Sequence, residues 1–217
     1  MARSRDPNRR ALLLNTAMDL FSRSGFYAVS VKEIATEAKV SLGSMYTYFA
    51  SKEELVNALY RRCKEIFSEY VTNGADQFRG RDAHKNLLKN LGRFIKDHPE
   101  SFLFLETHHH ADYLDQESLA IEESINDFAL RFYVDKLDLR LTKKQAQLII
   151  SASFGAFVHV FKTSRIGRLG LDDMTLDHLE LLLWHMATGG ESKRRDHVMP
   201  DESDFRQRAL NQTTTFA

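Results

Sequence analysis

Cysteine is almost missing from this chain, and the one present, Cys63, cannot close an internal disulfide. It reads as a partly buried thiol in a reducing compartment. Proline is scarce too, with 3 in 217 residues. Long stretches therefore lack a strong breaker, which favours an all-helical fold. No apolar run approaches the roughly 20 residues that span a bilayer. The opening MARSRDPNRR has no apolar core of a secretory signal. These absences point to a cytoplasmic protein with no membrane partner. No nucleophile elbow, phosphate loop, HExxH or paired-carboxylate spacing occurs, so neither an enzyme nor a bound cofactor is expected.

Net charge is also absent, yet the charges are unevenly placed. Residues 1–62 carry 10 Lys+Arg against 6 Asp+Glu, whereas residues 97–138 carry 2 against 11. A basic head and an acidic middle suit a head that approaches a polyanion while the middle stays clear of it. The length allows one small and one medium domain, placed at 7–67 and 68–188, with a flexible tail at 189–217.

The head carries the densest signals. Asp6 is a good N-cap, Pro7 fits the first helical position, and Leu13, Ala17, Leu20 and Phe21 repeat at the spacing of one buried helical face. Gly25 supplies a left-handed stop, so the first helix is expected over 7–24. Ser30 with Glu33, and Ser51 with Glu54, have the spacing of capping boxes, and Ser41 is a third serine cap. Two short helices joined at Lys39-Val40 and braced by a third make a helix-turn-helix, whose second helix can lie in a major groove. That helix presents Leu42, Gly43, Ser44, Tyr46, Thr47 and Tyr48, with Met45 and Phe49 inward. Gly43 allows close approach of a DNA backbone. Ser44, Tyr46 and Tyr48 offer hydroxyls to phosphates, and Thr47 a contact to a base edge or a thymine methyl. No Arg, Lys, Asn or Gln stands on this helix, so phosphates and DNA shape are expected to dominate. Lys52 joins the free amides of the next helix as an anion site. Arg3, Arg5, Arg9 and Arg10 read equally well as a DNA-tracking arm or as a solvated start.

The motifs Leu20-Phe21, Gly25-Phe26, Val31-Lys32-Glu33-Ile34-Ala35, Val40-Ser41, Gly43-Ser44-Met45-Tyr46 and Ser51-Lys52-Glu53-Glu54-Leu55 together resemble the TetR family of bacterial transcriptional regulators. The resemblance implies an all-α protein: a three-helix DNA-binding head on a helical ligand-binding and dimerisation body. It implies a homodimer on a palindromic operator of double-stranded DNA, usually a repressor released by a small-molecule inducer. Carried over by position, its DNA-facing residues are Ser30, Lys32, Ser41, Leu42, Ser44, Tyr46, Thr47, Tyr48 and Lys52. Lys39 stands where the family often has glycine, and Tyr48 where histidine is frequent. The alternative is an architectural or partner-recruiting DNA binder with no small inducer.

The body is read more coarsely, with helices near 82–97, 100–111, 115–137, 142–163 and 172–188. Small residues from Ser151 to Ala156 allow close helix approach. Ile149, Ser153, Ala156, Phe157 and Val160, with Leu176, Leu179, Leu183 and Met186, are expected to form a two-fold four-helix interface. Phe94, Phe102, Phe104, Leu105, Phe128, Phe132, Phe154 and Phe161 are candidates to line the ligand pocket the resemblance implies. His108, His109 and His110, with Glu106 and Asp112 nearby, invite a metal reading. Consecutive helical histidines point about 100° apart, so surface histidines with no metal are expected.

Overall fold

A computed structural model describes residues 6–109 and 111–189. Nine α-helices make up the described part: α1 (Pro7–Ser24), α2 (Val31–Glu37), α3 (Leu42–Tyr48), α4 (Lys52–Thr72), α5 (Gly80–Asp97), α6 (Pro99–His108), α7 (Gln116–Arg131), α8 (Lys143–Arg165) and α9 (Asp173–Thr188). A π-helical turn, Phe132–Lys136, follows α7. The expected single helix over 115–137 thus changes its winding near Phe132. The region 190–217, most of the tail expected to be flexible, lies outside the described residues, as do Arg3, Arg5 and His110.

The caps formed where the serines and aspartates placed them. Asp6 accepts from the Asn8 amide at 2.9 Å, Asp115 from Ser118 at 2.9 Å, and Asp172 from Thr175 at 2.8 Å. Each satisfies an amide that the first helical turn leaves without a partner. Thr142 and Gln145 complete a capping box on α8.

Helix α4 runs unbroken from Lys52 to Thr72, across the expected head–body boundary at 67/68. One apolar core continues from Leu13, Ile34 and Met45 of the head, through Leu55 and Leu59 of α4, to Phe94, Phe102, Phe157 and Leu183 of the body. A second cluster gathers Ala83, Phe132, Tyr133, Leu137 and Ala146. Helix α4 is therefore a shared strut: its first turns belong to the head and its later turns to the body.

The α6–α7 loop is pinned to that strut by a buried amide. Asn57 Nδ2 donates to the Tyr113 carbonyl at 2.7 Å, and the Asp115 amide donates to Asn57 Oδ1 at 2.8 Å. Arg61 adds an ion pair to Asp115 at 2.7 Å. Cys63 is buried, and burial pushes its thiol up to about 11, which leaves it unreactive.

Candidate nucleic-acid interface and the cavity behind it

Helices α2 and α3 are short, and their geometry rests on their ends. Ser30 Oγ accepts from the Glu33 amide at 3.1 Å while Glu33 reaches back to the Ser30 amide, a complete capping box. Ser41 Oγ accepts from the Ser44 amide at 3.1 Å, and Ser51 Oγ from the Glu54 amide at 3.1 Å. The Glu54 carboxylate differs from expectation: it accepts from Ala50 rather than Ser51.

Between α2 and α3, Lys39 takes the left-handed conformation, φ 55°. The Lys39 amide donates to Thr36 O at 3.0 Å and the Val40 amide to Ala35 O at 2.9 Å. That pair of bonds is a Schellman stop, which glycine normally serves. Here lysine accepts the strain, so the turn is the ordinary one despite the unusual residue.

With the turn set, Met45 and Phe49 seal α3 against the core, and its opposite side faces solvent. Ser41, Leu42, Gly43, Tyr46 and Thr47 are exposed, as are Ser30 and Lys32 at the start of α2; Ser44 and Tyr48 are half-buried. Every expected residue of α3 thus lies on or beside one outward surface. A methyl group built on Gly43 meets no protein atom within 4 Å. The fold itself has no need of a glycine there.

Three side chains are committed more than the sequence implied. Thr47 donates its hydroxyl proton to Gly43 O at 3.0 Å, leaving its oxygen and methyl to face outward. Tyr48 accepts from the Asp6 amide at 3.1 Å, tying α3 to the start of α1 and keeping its own proton to donate. Lys52 is turned toward the α1–α2 loop: Nζ donates to Phe26 O and sits 4.1 Å from the centre of the Phe26 ring. Burial holds the Lys52 ammonium below the usual lysine range, only partly offset by Glu53. Lys52, named for a phosphate contact, thus makes one internal bond and keeps its remaining N–H groups. On α1, Arg10 lies over Phe49 at 5.3 Å and Arg9 is exposed.

Phe26 links the head to the body. Its ring packs on Tyr113 at 4.9 Å and on His108 at 5.3 Å. His108 is buried, its Nδ1 bonded to the Tyr113 hydroxyl and its ring 4.2 Å from Phe104. It is a core residue, not the surface histidine expected from the run. Burial holds its imidazole down at about 4. His109 Nδ1 bonds Glu106 O at 2.9 Å. Among the described residues no three His, Cys, Asp or Glu gather as a metal site. An open notch of about 690 Å³ lies at this junction, between residues 24–28 and residues 107–109 and 111–113.

Deeper in the body, four helices wall a cavity of about 480 Å³. Helix α4 supplies Lys64 and Phe67, α6 Phe102 and Leu105, α7 Glu122, Ile125 and Leu130, and α8 Ile150 and Phe154. Of the expected pocket residues, Phe102, Leu105 and Phe154 reach it. Phe94, Phe104, Phe132 and Phe161 are packed into the core instead, and Phe128 stacks beside Phe132. An aromatic at helical spacing reports an inward face without saying whether that face meets a cavity. Lys64, Glu122 and Tyr60 were not anticipated, because charged residues on a helix read as solvated. Tyr60 donates to Glu122 Oε2 at 2.7 Å, and burial with the nearby carboxylate pushes its phenol well above the usual range.

The expected dimer stripe also needs correction. Ser153, Phe157, Leu179 and Leu183 are buried against their own chain, and Ile149, Ala156, Val160 and Leu176 pack half-buried beside them. Of those residues only Met186 is exposed. The unpartnered apolar surface is the opposite side: Leu148, Ala152 and Gly155 on α8, with Met174, Leu181, Leu182 and Met186 on α9. Because α8 is apolar on both sides, it is by length and composition long and apolar enough to cross a membrane, although polar residues such as Gln147, Ser151, Ser153 and His159 interrupt its apolar run. Helical periodicity alone could not say which stripe faced home.

These features define a class: an all-helical protein with an N-terminal helix-turn-helix and a helical body around a cavity. The profile of bacterial regulatory proteins of the tetR family matches residues 13–59, and that of the tetracyclin repressor-like C-terminal domain matches residues 55–188. The chain belongs to the TetR family of bacterial transcriptional regulators. It is 29% identical over 143 residues to the uncharacterized HTH-type transcriptional regulator YuxN of Bacillus subtilis (strain 168), covering 64% of this chain and 47% of that protein. It is 35% identical over 105 residues to the HTH-type transcriptional repressor KstR2 of Mycobacterium tuberculosis, covering 48% and 47%. The chain spans about half the length of these curated relatives. A TetR family transcription regulator from Marinobacter aquaeolei VT8 shares the fold, with TM-score 0.74 at 22% identity over 85% of this chain and 97% of that one. A TetR-like transcriptional regulator from Rhodococcus sp. RHA1 aligns with TM-score 0.66 at 26% identity over 84% and 97%.

Proposed function

We propose that this protein is a cytoplasmic, homodimeric repressor that binds a palindromic operator and releases it when a small molecule enters the body cavity. One observation carries the DNA-binding reading: the outward surface of α3, with open space where a side chain on Gly43 would stand and Tyr46, Thr47 and Leu42 exposed around it. Lys32 adds a cation beside it, and Ser30, Ser41, Ser44 and Tyr48 add hydroxyls at its edges. Such a surface suits phosphate contacts and shape more than base-edge hydrogen bonds.

Dimerisation is assigned to the exposed apolar side of α8 and α9, around Leu148, Ala152, Gly155 and Leu182. Pairing these helices with a second copy forms a four-helix bundle and covers a surface that one chain leaves in water. A dimer interface explains the two-sided apolarity of α8 without a membrane. The inducer reading rests on the cavity, whose walls include α4. Any ligand preferring a spread arrangement of α4 and α7 shifts the heads, because the same α4 carries the head at its N-terminal end. The cavity also favours this reading over an architectural DNA binder without an inducer.

The test is selection of duplex DNA by the purified protein, then fluorescence anisotropy on the selected sequence. Binding is expected to weaken steeply with salt, and Tyr46→Phe to weaken it five- to tenfold, roughly the loss of one hydrogen bond. Enrichment of no sequence, together with unchanged affinity in Tyr46→Phe, would reject the docking.

A further inference from the structure

The body cavity holds an ion pair that does not close. Lys64 on α4 and Glu122 on α7 both line it, each largely withdrawn from water. Glu122 Oε2 is taken by the Tyr60 hydroxyl at 2.7 Å. The Lys64 ammonium lies 5.4 Å from the centre of the Tyr60 ring, and no carboxylate among the described residues comes within 4 Å of it. Burial holds this ammonium below the usual lysine range, while Glu122 acts in the other direction. The remaining wall is mostly apolar, chiefly Phe67, Phe102, Leu105, Ile125, Leu130 and Phe154; His109, Asn126, Asp127, Gln147 and Ser151 also line it, exposed to solvent at its rim.

An ammonium and a carboxylate that line one largely apolar cavity without closing an ion pair discriminate between ligands by charge. A carboxylate gains from Lys64 and is repelled by Glu122. An ammonium meets the reverse. Either ion must also shed its water to enter, which costs far more than desolvating an amide or a hydroxyl. An uncharged head with one acceptor and one donor gains from both walls at once. Charge-assisted hydrogen bonds of this kind are stronger than neutral ones.

We propose that the cavity binds an uncharged amphiphile, with an apolar body and one head group that accepts from Lys64 and donates to Glu122. The proposal rests on the ligand-responsive reading above and gives that ligand its chemical class. The cavity volume of about 480 Å³ is within the range of small-molecule sites.

The experiment uses the full chain at pH 7.5 and N-phenyl-1-naphthylamine, a neutral dye that brightens in apolar cavities. Three competitors share one tail: octanamide, octanoate and octylammonium. Octanamide is expected to displace the dye at least tenfold more effectively than either ion. In Lys64→Met, octylammonium overtakes octanamide, because the Glu122 carboxylate remains without its opposing cation. In Glu122→Gln, which keeps the Tyr60 bond, octanoate overtakes it instead. Circular dichroism confirms that each variant is folded, and either variant alone decides the reversal. Equal displacement by all three, displacement by none, or preference for an ion in the unmodified chain overturns the split-pair inference while the ligand reading stands. Failure of the dye to bind at all overturns both.

Discussion

Gly43→Ala separates the needs of the fold from the needs of the DNA. A methyl group at this position meets nothing within 4 Å in the protein. Gly43 lies inside α3, Leu42–Tyr48, where alanine is the better helix former by about 0.5–1 kcal/mol. The free chain is therefore expected to become more stable, its melting temperature rising by roughly 1–4 °C for a protein of this size. On DNA the same methyl fills the space in which a phosphate backbone is proposed to rest. Displacing one charge-assisted contact of about 1.5 kcal/mol weakens affinity roughly tenfold. Calorimetry measures the first effect and anisotropy on the selected duplex the second. The two must move in opposite directions. A variant that is more stable and binds DNA with unchanged affinity would refute the placement of the first turn of α3 against the duplex.

Three further outcomes follow from particular residues. Lys39→Gly removes a left-handed lysine and is expected to stabilise the head by about 0.5–1 kcal/mol, the left-handed strain less the extra freedom of glycine when unfolded; urea denaturation reads it, and a loss of stability would contradict the strain. Because the His108 imidazole is held at about 4 when folded and returns to about 6.5 when unfolded, the unfolded chain binds the extra proton between those values. Stability therefore falls as pH drops from about 6.5 toward 4, and His108→Asn should reduce the difference between the unfolding free energies from urea denaturation at pH 7 and pH 4.5 by roughly 2–3 kcal/mol; an unchanged difference refutes the burial argument. Leu182→Glu puts a charge on the exposed side of α9 and should convert dimer to monomer in sedimentation, with the helical spectrum retained; a persistent dimer would move the interface elsewhere.

The head was legible because its information is local. A serine cap, a glycine stop and an apolar pair one turn apart act within a few residues, and each appears at the position it marked. Asp6, Ser30, Ser41 and Ser51 all cap. Lys39 bends the turn even without glycine. The side chains with commitments the sequence did not show have partners far along the chain or across a loop: Lys52 bonds Phe26, Tyr48 meets Asp6, and His108 bonds Tyr113. The aromatic stripes of the body marked inward faces, yet Phe94 and Phe161 fill the core while Phe102 and Phe154 border a space.

Sequence alone determined the helices, their caps and the outward surface of α3, since hydrogen bonds and periodicity within one helix are short-range. Tertiary structure decided which of two apolar stripes on α8 turns inward, where four helices fail to meet and leave a cavity, and that Lys64 and Glu122 both line it. Those outcomes depend on the angles and separations of helices remote in the chain. Packing sets such distances collectively, and no single segment carries them.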